Sequence, residues 1–383
     1  MREAVIVEAV RTPIGRRNGA LSGIRPEDLA ALVLKEVVRR AGIEPHLVED
    51  VIMGCVTQAG EQGFCLGRVA ALIADFPVQV PGVAIDRQCG SSQQAIHFAA
   101  QAILSGDMDV VIAAGVEHMT RVPMGSNFQG ANYSEALTSR YEIIHQGLSA
   151  ERIAQKWGFS RRQLEEFALE SHRRAIRAQD EGRFDREIMP IEVTLPDGTR
   201  TLFKQDEGPR RDTSLEKLGS LKPAFMEGGV ITAGVSSQIS DGAAAVLLMS
   251  RERAEKLGVK PRARIIGRVV VGSDPTLMLT GPIPATEKVL QRTGLRLEDI
   301  DIFEVNEAFA PVVLAWLAET GADPAKVNPN GGAIALGHPL GASGARLMTT
   351  MLHELERTGG RYGLQTMCEG YGMANATIIE RLD

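Results

Sequence analysis

Residues 84–115 read AIDRQCGSSQQAIHFAAQAILSGDMDVVIAAG. A short apolar strand meets Cys89 and Gly90, and the helix that follows carries no Asp, Glu, Lys or Arg from Gln88 to Gly106. Such a helix has no face for water, so it belongs in the interior; its Gln, Ser and His content and the glycine at the turn argue against a membrane span. The run from Asp109 to Gly115 is apolar throughout, as in a strand covered on both faces within a parallel or mixed sheet. Strand, buried helix and buried strand in succession predict an α/β architecture.

Outward from this stretch the alternation continues. AVIVEAV near the start reads as a strand, and Leu29, Leu32, Val33 and Val37 fall at helical spacing before Gly42 and Pro45 stop the helix. VEDVIMG follows. About 250 residues later the order recurs: RIIGRVVVG from Arg264, a helix through ATEKVLQRTG to Gly294, then LEDIDIFEV. We read this as a duplicated domain, with one half in 1–117 plus 238–260 and the other in 261–383. Between them, residues 118–237 form an inserted loop domain. Its charged helix opens at Ser160 and Gln163 with a capping-box pattern and turns Leu164, Phe167, Ala168 and Ala175 inward. Loop-rich insertions on a rigid base often carry specificity.

Composition sets bounds. A chain of 383 residues with 44% hydrophobic and 23% charged residues is long enough for two or three packed units and unlike a disordered or membrane protein. A net charge of −6 gives no reason to expect nucleic acid or an anionic membrane as partner. The opening MREAVIVEAVRTP lacks the basic-then-apolar order of a secretory signal, and a cytoplasmic location is expected. Four cysteines without CxxC spacing indicate neither a zinc site nor a disulfide scaffold. Cys55 and Cys65 read as buried, inert thiols.

Cys89 is different, because it stands at the first turn of the charge-free helix. There the helix dipole and free N–H groups favour a thiolate, and the pKa of about 8.5 of a free thiol can fall to roughly 3.5–7.5. A nucleophile and a core cysteine at a tight turn both fit this segment alone. In GGAIALGHPLGASGARLM, His338 stands in a second glycine-rich turn, again without charge between Gly331 and Ala345. It suits a general base or an oxyanion donor, and the Gly-Lys-Ser/Thr ending of a phosphate loop is missing. VNEAFAPVV puts Asn306 at a strand end, and TMCEGYGMANATIIE puts Cys368 before Gly370 and Gly372. Strand ends are where α/β sheets present side chains to ligands. Singly, a cap, a core thiol and a turn would explain them.

Together, DRQCGSSQQAI, VNEAFA, GGAIALGHPLGASG and the Cys-x-Gly at Cys368 closely resemble the thiolase family, as do RTPIG near the start and SDGAAAVLL after the insertion. The resemblance spans the chain. It implies a five-layered αβαβα fold of two similar halves with an inserted loop domain, in a homo-oligomer of two or four chains. It also implies an acyltransferase that cleaves 3-ketoacyl-CoA with coenzyme A, or condenses two acyl-CoA molecules, through an acyl-Cys89 intermediate. Cys89 would be the nucleophile, His338 its base, and Cys368 the acid or base at the α-carbon. Asn306 with His338 would hold one oxyanion through a water, and the backbone N–H groups of Cys89 and Gly370 the other. His145, Arg210 and Ser237 would hold coenzyme A, which is substrate and product; no cofactor or metal is implied.

This sequence departs from the family at CEGYGMA, where Tyr371 interrupts a glycine run, and at TAGVSSQ, where Val235 replaces a common asparagine. Both bear on acyl-chain preference. Two other readings remain at this stage: a decarboxylating ketoacyl synthase of the same fold, disfavoured by the second thiol, and a non-catalytic acyl-CoA or lipid carrier.

Overall fold

The computed structural model describes residues 2–195 and 197–382. Its strands are β1 Ala4–Arg11, β2 Gly15–Arg16, β3 Asp50–Gly54, β4 Gly82–Ile85, β5 Val110–His118, β6 Ile191–Thr194, β7 Arg200–Phe203, β8 Ser240–Ser250, β9 Ala263–Gly272, β10 Ile302–Val305, β11 Tyr362–Glu369 and β12 Met373–Arg381. The main sheet runs β10-β11-β12-β9-β1-β8-β5-β3-β4, with β2 on β8; β6 and β7 form a separate hairpin.

The duplication is visible in this order. In the first half the sequence β4-β3-β5-β8-β1 ends on the earliest strand, and in the second β10-β11-β12-β9 does the same. The place of β4 is held in the second half by a single parallel bridge between Phe303 and Val327. The two earliest strands meet antiparallel, Val5 opposite Arg264 and Ile6 opposite Ala263. The local repeat agrees: a helix Pro26–Ala41 capped by left-handed Gly42 leads through a short turn to β3, and a helix Pro282–Thr293 capped by Gly294 leads likewise to β10.

Period-two alternation sorts the apolar side chains into layers. On β5, Val110, Ile112, Ala114 and Val116 pack with the outer helices Pro26–Ala41 and Leu66–Ile73, while Val111 and Ala113 face inward. The inward set meets Ala95, Ile96, Ala99 and Ile103 of the helix Ser91–Ser105 and Ala345, Met348, Met351 and Leu352 of the helix Leu340–Thr358. Beyond the second half's strands, Ala285 and Val289 of Pro282–Thr293 and Val313 and Trp316 of Ala310–Thr320 cover the far side. Helix, sheet, paired helices, sheet and helix make five layers.

The two central helices touch at backbone distance. A Cβ on Gly344 would stand 2.2 Å from the Gln93 nitrogen, and β5 lies as close to the second helix: a Cβ on Gly115 would stand 2.1 Å from the Gly341 carbonyl oxygen. Only a residue without a side chain fits between rigid main-chain segments. The inserted segment carries helices Gln146–Trp157 and Arg161–Asp180; Ser160 and Gln163 form the capping box expected from sequence, and Leu164, Ala168 and Ala175 are buried. Among the described residues no helix is long and apolar enough to cross a membrane. Cys55 is buried, but Cys65 is exposed, against expectation. Its left-handed turn (φ 58°) projects it, with the 98% exposed Phe64, away from the core rather than into it.

Gly344→Ala is expected to destabilise the protein by about 1–3 kcal/mol through overpacking, read as a lower midpoint in chemical denaturation. Gly272→Ala, whose added methyl meets nothing nearer than 4.0 Å, should stay within about 0.5 kcal/mol of the parent.

Candidate active site

Four segments distant in sequence converge where the central helices begin. Cys89 follows β4 in a turn held by Ser91, whose Oγ accepts from the Arg87 N–H (2.9 Å) and donates to the Gln88 carbonyl (2.6 Å). Gln88 is forced to a φ of 48°. Gly90 is the N-cap of Ser91–Ser105, so Cys89 lies one residue before the cap rather than in the first turn. β10 and β11 run parallel, Val305 beside Thr366, so Asn306 and Cys368 leave the same ends of adjacent strands. Gly370 lies in the turn from β11 to β12, and its Cα faces Gln88, whose Oε1 would lie 2.9 Å from an added Cβ.

His338 stands between left-handed Gly337 and the helix Leu340–Thr358. Its N–H is shared by the Gln238 carbonyl (3.1 Å) and Ser240 Oγ (3.2 Å). Its Nδ1 lies 2.6 Å from Ser343 Oγ, and that hydroxyl donates its own hydrogen to the Pro339 carbonyl. Ser343 therefore has only a lone pair left for the ring, which assigns the proton to Nδ1 and leaves Nε2 as an acceptor. Asn306 Nδ2 approaches that nitrogen at 3.4 Å, while Asn306 Oδ1 is buried without a protein partner.

Burial dominates the electrostatics. Cys89, His338, Asn306 and Cys368 are all at most 4% exposed. Burial, the neighbouring Cys368 and Glu369 push the Cys89 thiol up, and burial with Glu369 pushes Cys368 up to about 12. Burial and the Arg346 charge hold His338 down to about 3. Burial thus works against the thiolate that a helix start favours.

The remaining sequence candidates fall into an outer shell. His145 is an exposed N-cap whose Nδ1 accepts from Gly147 N–H at 3.0 Å, and its ring stacks on Phe225. Phe225 meets Phe309 edge-on, just beyond Asn306. Half-buried Ser237 donates its N–H to the Ala308 carbonyl in the same segment. Arg210 is exposed on a separate loop, its N–H on His172 Nδ1. Val235 is buried in the cluster that contains Cys368, and Tyr371, at φ 64°, places its hydroxyl 2.9 Å from that of Tyr133, which stacks on Phe128.

Sequence reasoning missed the residues that tie these pieces together. Glu117 accepts from the N–H groups of Val56, Thr57 and Gly341 and from the Gln62 amide, locking the chain after β3 to the His338 turn. Its signal was a lone acid at the end of an apolar strand. Gln238 donates to the carbonyls of Gly208, Ile334 and Ala335, joining the Arg210 loop to the same turn. Ser343, five residues after His338, was hidden among small residues.

Comparison with known proteins agrees with the geometry. The family profile "Thiolase, N-terminal domain" matches residues 4–252, and "Thiolase, C-terminal domain" matches 259–381. The chain is 53% identical over 393 residues to the steroid 3-ketoacyl-CoA thiolase FadA6 of Mycobacterium tuberculosis, covering all of this chain and 95% of that one. It is 46% identical over 389 residues to a 3-ketoacyl-CoA thiolase of Aliivibrio fischeri, end to end. The crystal structure of an acetyl-CoA acetyltransferase from Bacillus anthracis superposes with a TM-score of 0.92 at 41% identity, covering 100% of this chain and 99% of that one. Matched along its whole length in sequence and in fold, the chain belongs to the thiolase family.

Proposed function

We propose that this enzyme cleaves 3-ketoacyl-CoA with coenzyme A, and runs the reverse condensation, through an acyl-Cys89 intermediate. The observation that supports the proposal is Asn306 Nδ2 at 3.4 Å from His338 Nε2, both residues buried, together with two buried thiols close enough for Cys368 to act on Cys89. In cleavage, Cys89 Sγ bonds to the 3-keto carbon as its proton passes to His338 Nε2. The C2–C3 bond then breaks, and the electron pair left on C2 takes the proton of Cys368. Incoming coenzyme A gives its thiol proton to the Cys368 thiolate and attacks the acyl-Cys89 thioester; the C–S bond to Cys89 breaks, Cys89 retakes its proton from His338, and the shortened acyl-CoA leaves. Each step exchanges one thioester for another or balances a C–C bond against a C–H bond, so the cycle is reversible.

Oxygen charge develops in both halves of the cycle. Asn306 with a water and His338 would hold one oxyanion, and the N–H groups of Cys89 and Gly370 the other, each donor worth about 2.7–4 kcal/mol. His145, Arg210 and Ser237 would line the approach of coenzyme A, on the side where the inserted segment meets Phe309. The exposed aromatic group Phe128, Tyr133 and Tyr371 would border the acyl chain and favour substrates longer than acetoacetyl-CoA. The division into 1–117 plus 238–260, 118–237 and 261–383 and a cytoplasmic site of action are part of this reading.

The same reading includes a homo-oligomer. β4 is an open sheet edge with Val83 40% exposed, near Phe64, Val78 and Leu72 on the surface. An apolar edge of this kind is a template for pairing with a second copy. Val83→Lys should shift the chain toward monomer in sedimentation analysis.

Incubation with acetyl-CoA is expected to add an acetyl mass to the Cys89 peptide. Cys368→Ala should still acylate but lose C–C cleavage, whereas Cys89→Ala should do neither. A protein that binds the thioester yet takes no label would be a carrier, and decarboxylation of a malonyl thioester without thiolysis would indicate a ketoacyl synthase. Because His338 is held to about 3, it stays an unprotonated base from mildly acid to neutral pH. Its acylation rate should therefore lack the fall near 6.5 that an ordinary histidine would impose. Ser343→Ala, which frees the ring to change tautomer, should slow acylation by about 10–100-fold with little change in KM.

A further inference from the structure

Behind the Cys89 turn lies a titratable group that the reaction above does not use. Glu369, next to Cys368, is fully buried, and neither of its carboxyl oxygens has a donor among the described residues. Asn375 faces it from β12. Both amide hydrogens of Asn375 are engaged, at 3.1 Å on Gln94 Oε1 and 3.3 Å on His97 Nδ1, so only its oxygen is left, and that oxygen also lacks a partner. The two orphan acceptors crowd one point: a Cβ on Gly90 would stand 1.9 Å from Glu369 Oε1 and 2.7 Å from Asn375 Oδ1. Two acceptors pressed together in a buried site repel, and a single hydrogen between them satisfies both.

We propose that Glu369 is a neutral carboxylic acid donating its hydrogen to Asn375 Oδ1, and that it is a positioning residue: it fills the space under the Cys89–Gly90 turn while keeping negative charge away from both thiols. The proposal rests on the thiolase reading of Cys89 and Cys368. The charged groups acting on Glu369 are Asp86 and Arg87 on the turn, Asn375 of β12 shares the space at Gly90 with it, and Cys89 and Cys368 feel its charge; Gln94 and His97 of the helix Ser91–Ser105 hold the Asn375 amide. Arg87 is the cation that could hold an ionised Glu369, but its Nη1 is directed to Met373 Sδ at 3.6 Å, and no ion pair joins it to Glu369 among the described residues. Burial first, and Asp86 after it, raise the Glu369 carboxyl to about 9 against the pull of Arg87, in the same direction as the geometry.

The sign is fixed. Below about 9 the carboxyl is neutral; as pH rises through that value a charge appears beside Cys89 and Cys368 and opposes the negative sulfur formed in each step. The test is the acetylation burst of Cys89 across pH in the parent enzyme and in Glu369→Gln, whose amide keeps the donor to Asn375 without an ionisable proton. At neutral pH the variant should stay within about threefold of the parent. One unit above the transition the parent burst should have fallen at least about fivefold and the variant burst should not. Glu369→Met, uncharged and of similar length, should also lack the alkaline fall and serves if the glutamine variant does not fold. Infrared difference spectra, parent minus variant, should contain the C=O band of a protonated carboxyl at neutral pH. A carboxylate signature there, or an alkaline fall unchanged in both variants, overturns the proposal. Failure of the parent to acylate at all would overturn the thiolase reading instead, and the infrared arm would still decide the protonation state of Glu369.

Discussion

Everything in this molecule depends on two helices lying against each other between two sheets with almost no room between their backbones. Gly344 against the Gln93 nitrogen sets the spacing between the helices, and Gly115 of β5 against the Gly341 carbonyl seats the second helix on the sheet; main chain cannot yield as a long side chain can. Both helices begin at the same place from opposite halves of the chain. The turn before one holds Cys89 and the turn before the other holds His338, so the packing that fixes the helices also fixes the groups proposed to react. Glu117 and Gln238 extend this control outward by joining the loops on either side to the His338 turn.

Close packing also decides the charge state. With water excluded, a thiolate and an imidazolium would each lack hydration, so burial pushes both groups toward their neutral forms. In the proposed reaction, charge would form where a substrate oxygen shares it. The site is therefore a set of dipoles and lone pairs aimed in advance: Ser343 on one ring nitrogen, Asn306 near the other, and main-chain N–H groups at the Cys89 turn. Preorganisation of this kind avoids reorienting solvent during the reaction.

Much of this was legible in the sequence because it is written in absences. Stretches without charge at Cys89 and His338 announced the buried helices, and the recurrence of helix, glycine, acidic pair and strand announced the duplication, which the matching strand order bears out. Cys89, His338, Asn306 and Cys368 stood out through glycine turns and strand ends. Less visible were residues whose work is hydrogen bonding across long sequence separations. Ser343 and Gln238 are ordinary residue types, and only the folded chain shows which carbonyls they reach. Cys65 was misread because composition favours buried thiols, whereas a left-handed backbone turn sends this one outward. At Cys89 the helix start is visible in sequence, whereas the depth of burial that works against a thiolate is not.

The duplication is imperfect in one place. Where the first half ends in the strand β4, the second ends in a single bridge at Val327. Were both ends full strands, each copy would present two adhesive margins, and association could propagate head to tail without limit. With one margin reduced to irregular chain, the proposed contact between copies through β4 would exhaust itself after a single two-fold pairing. A small loss of regularity in the later half would thus turn a potential fibre-former into a closed assembly.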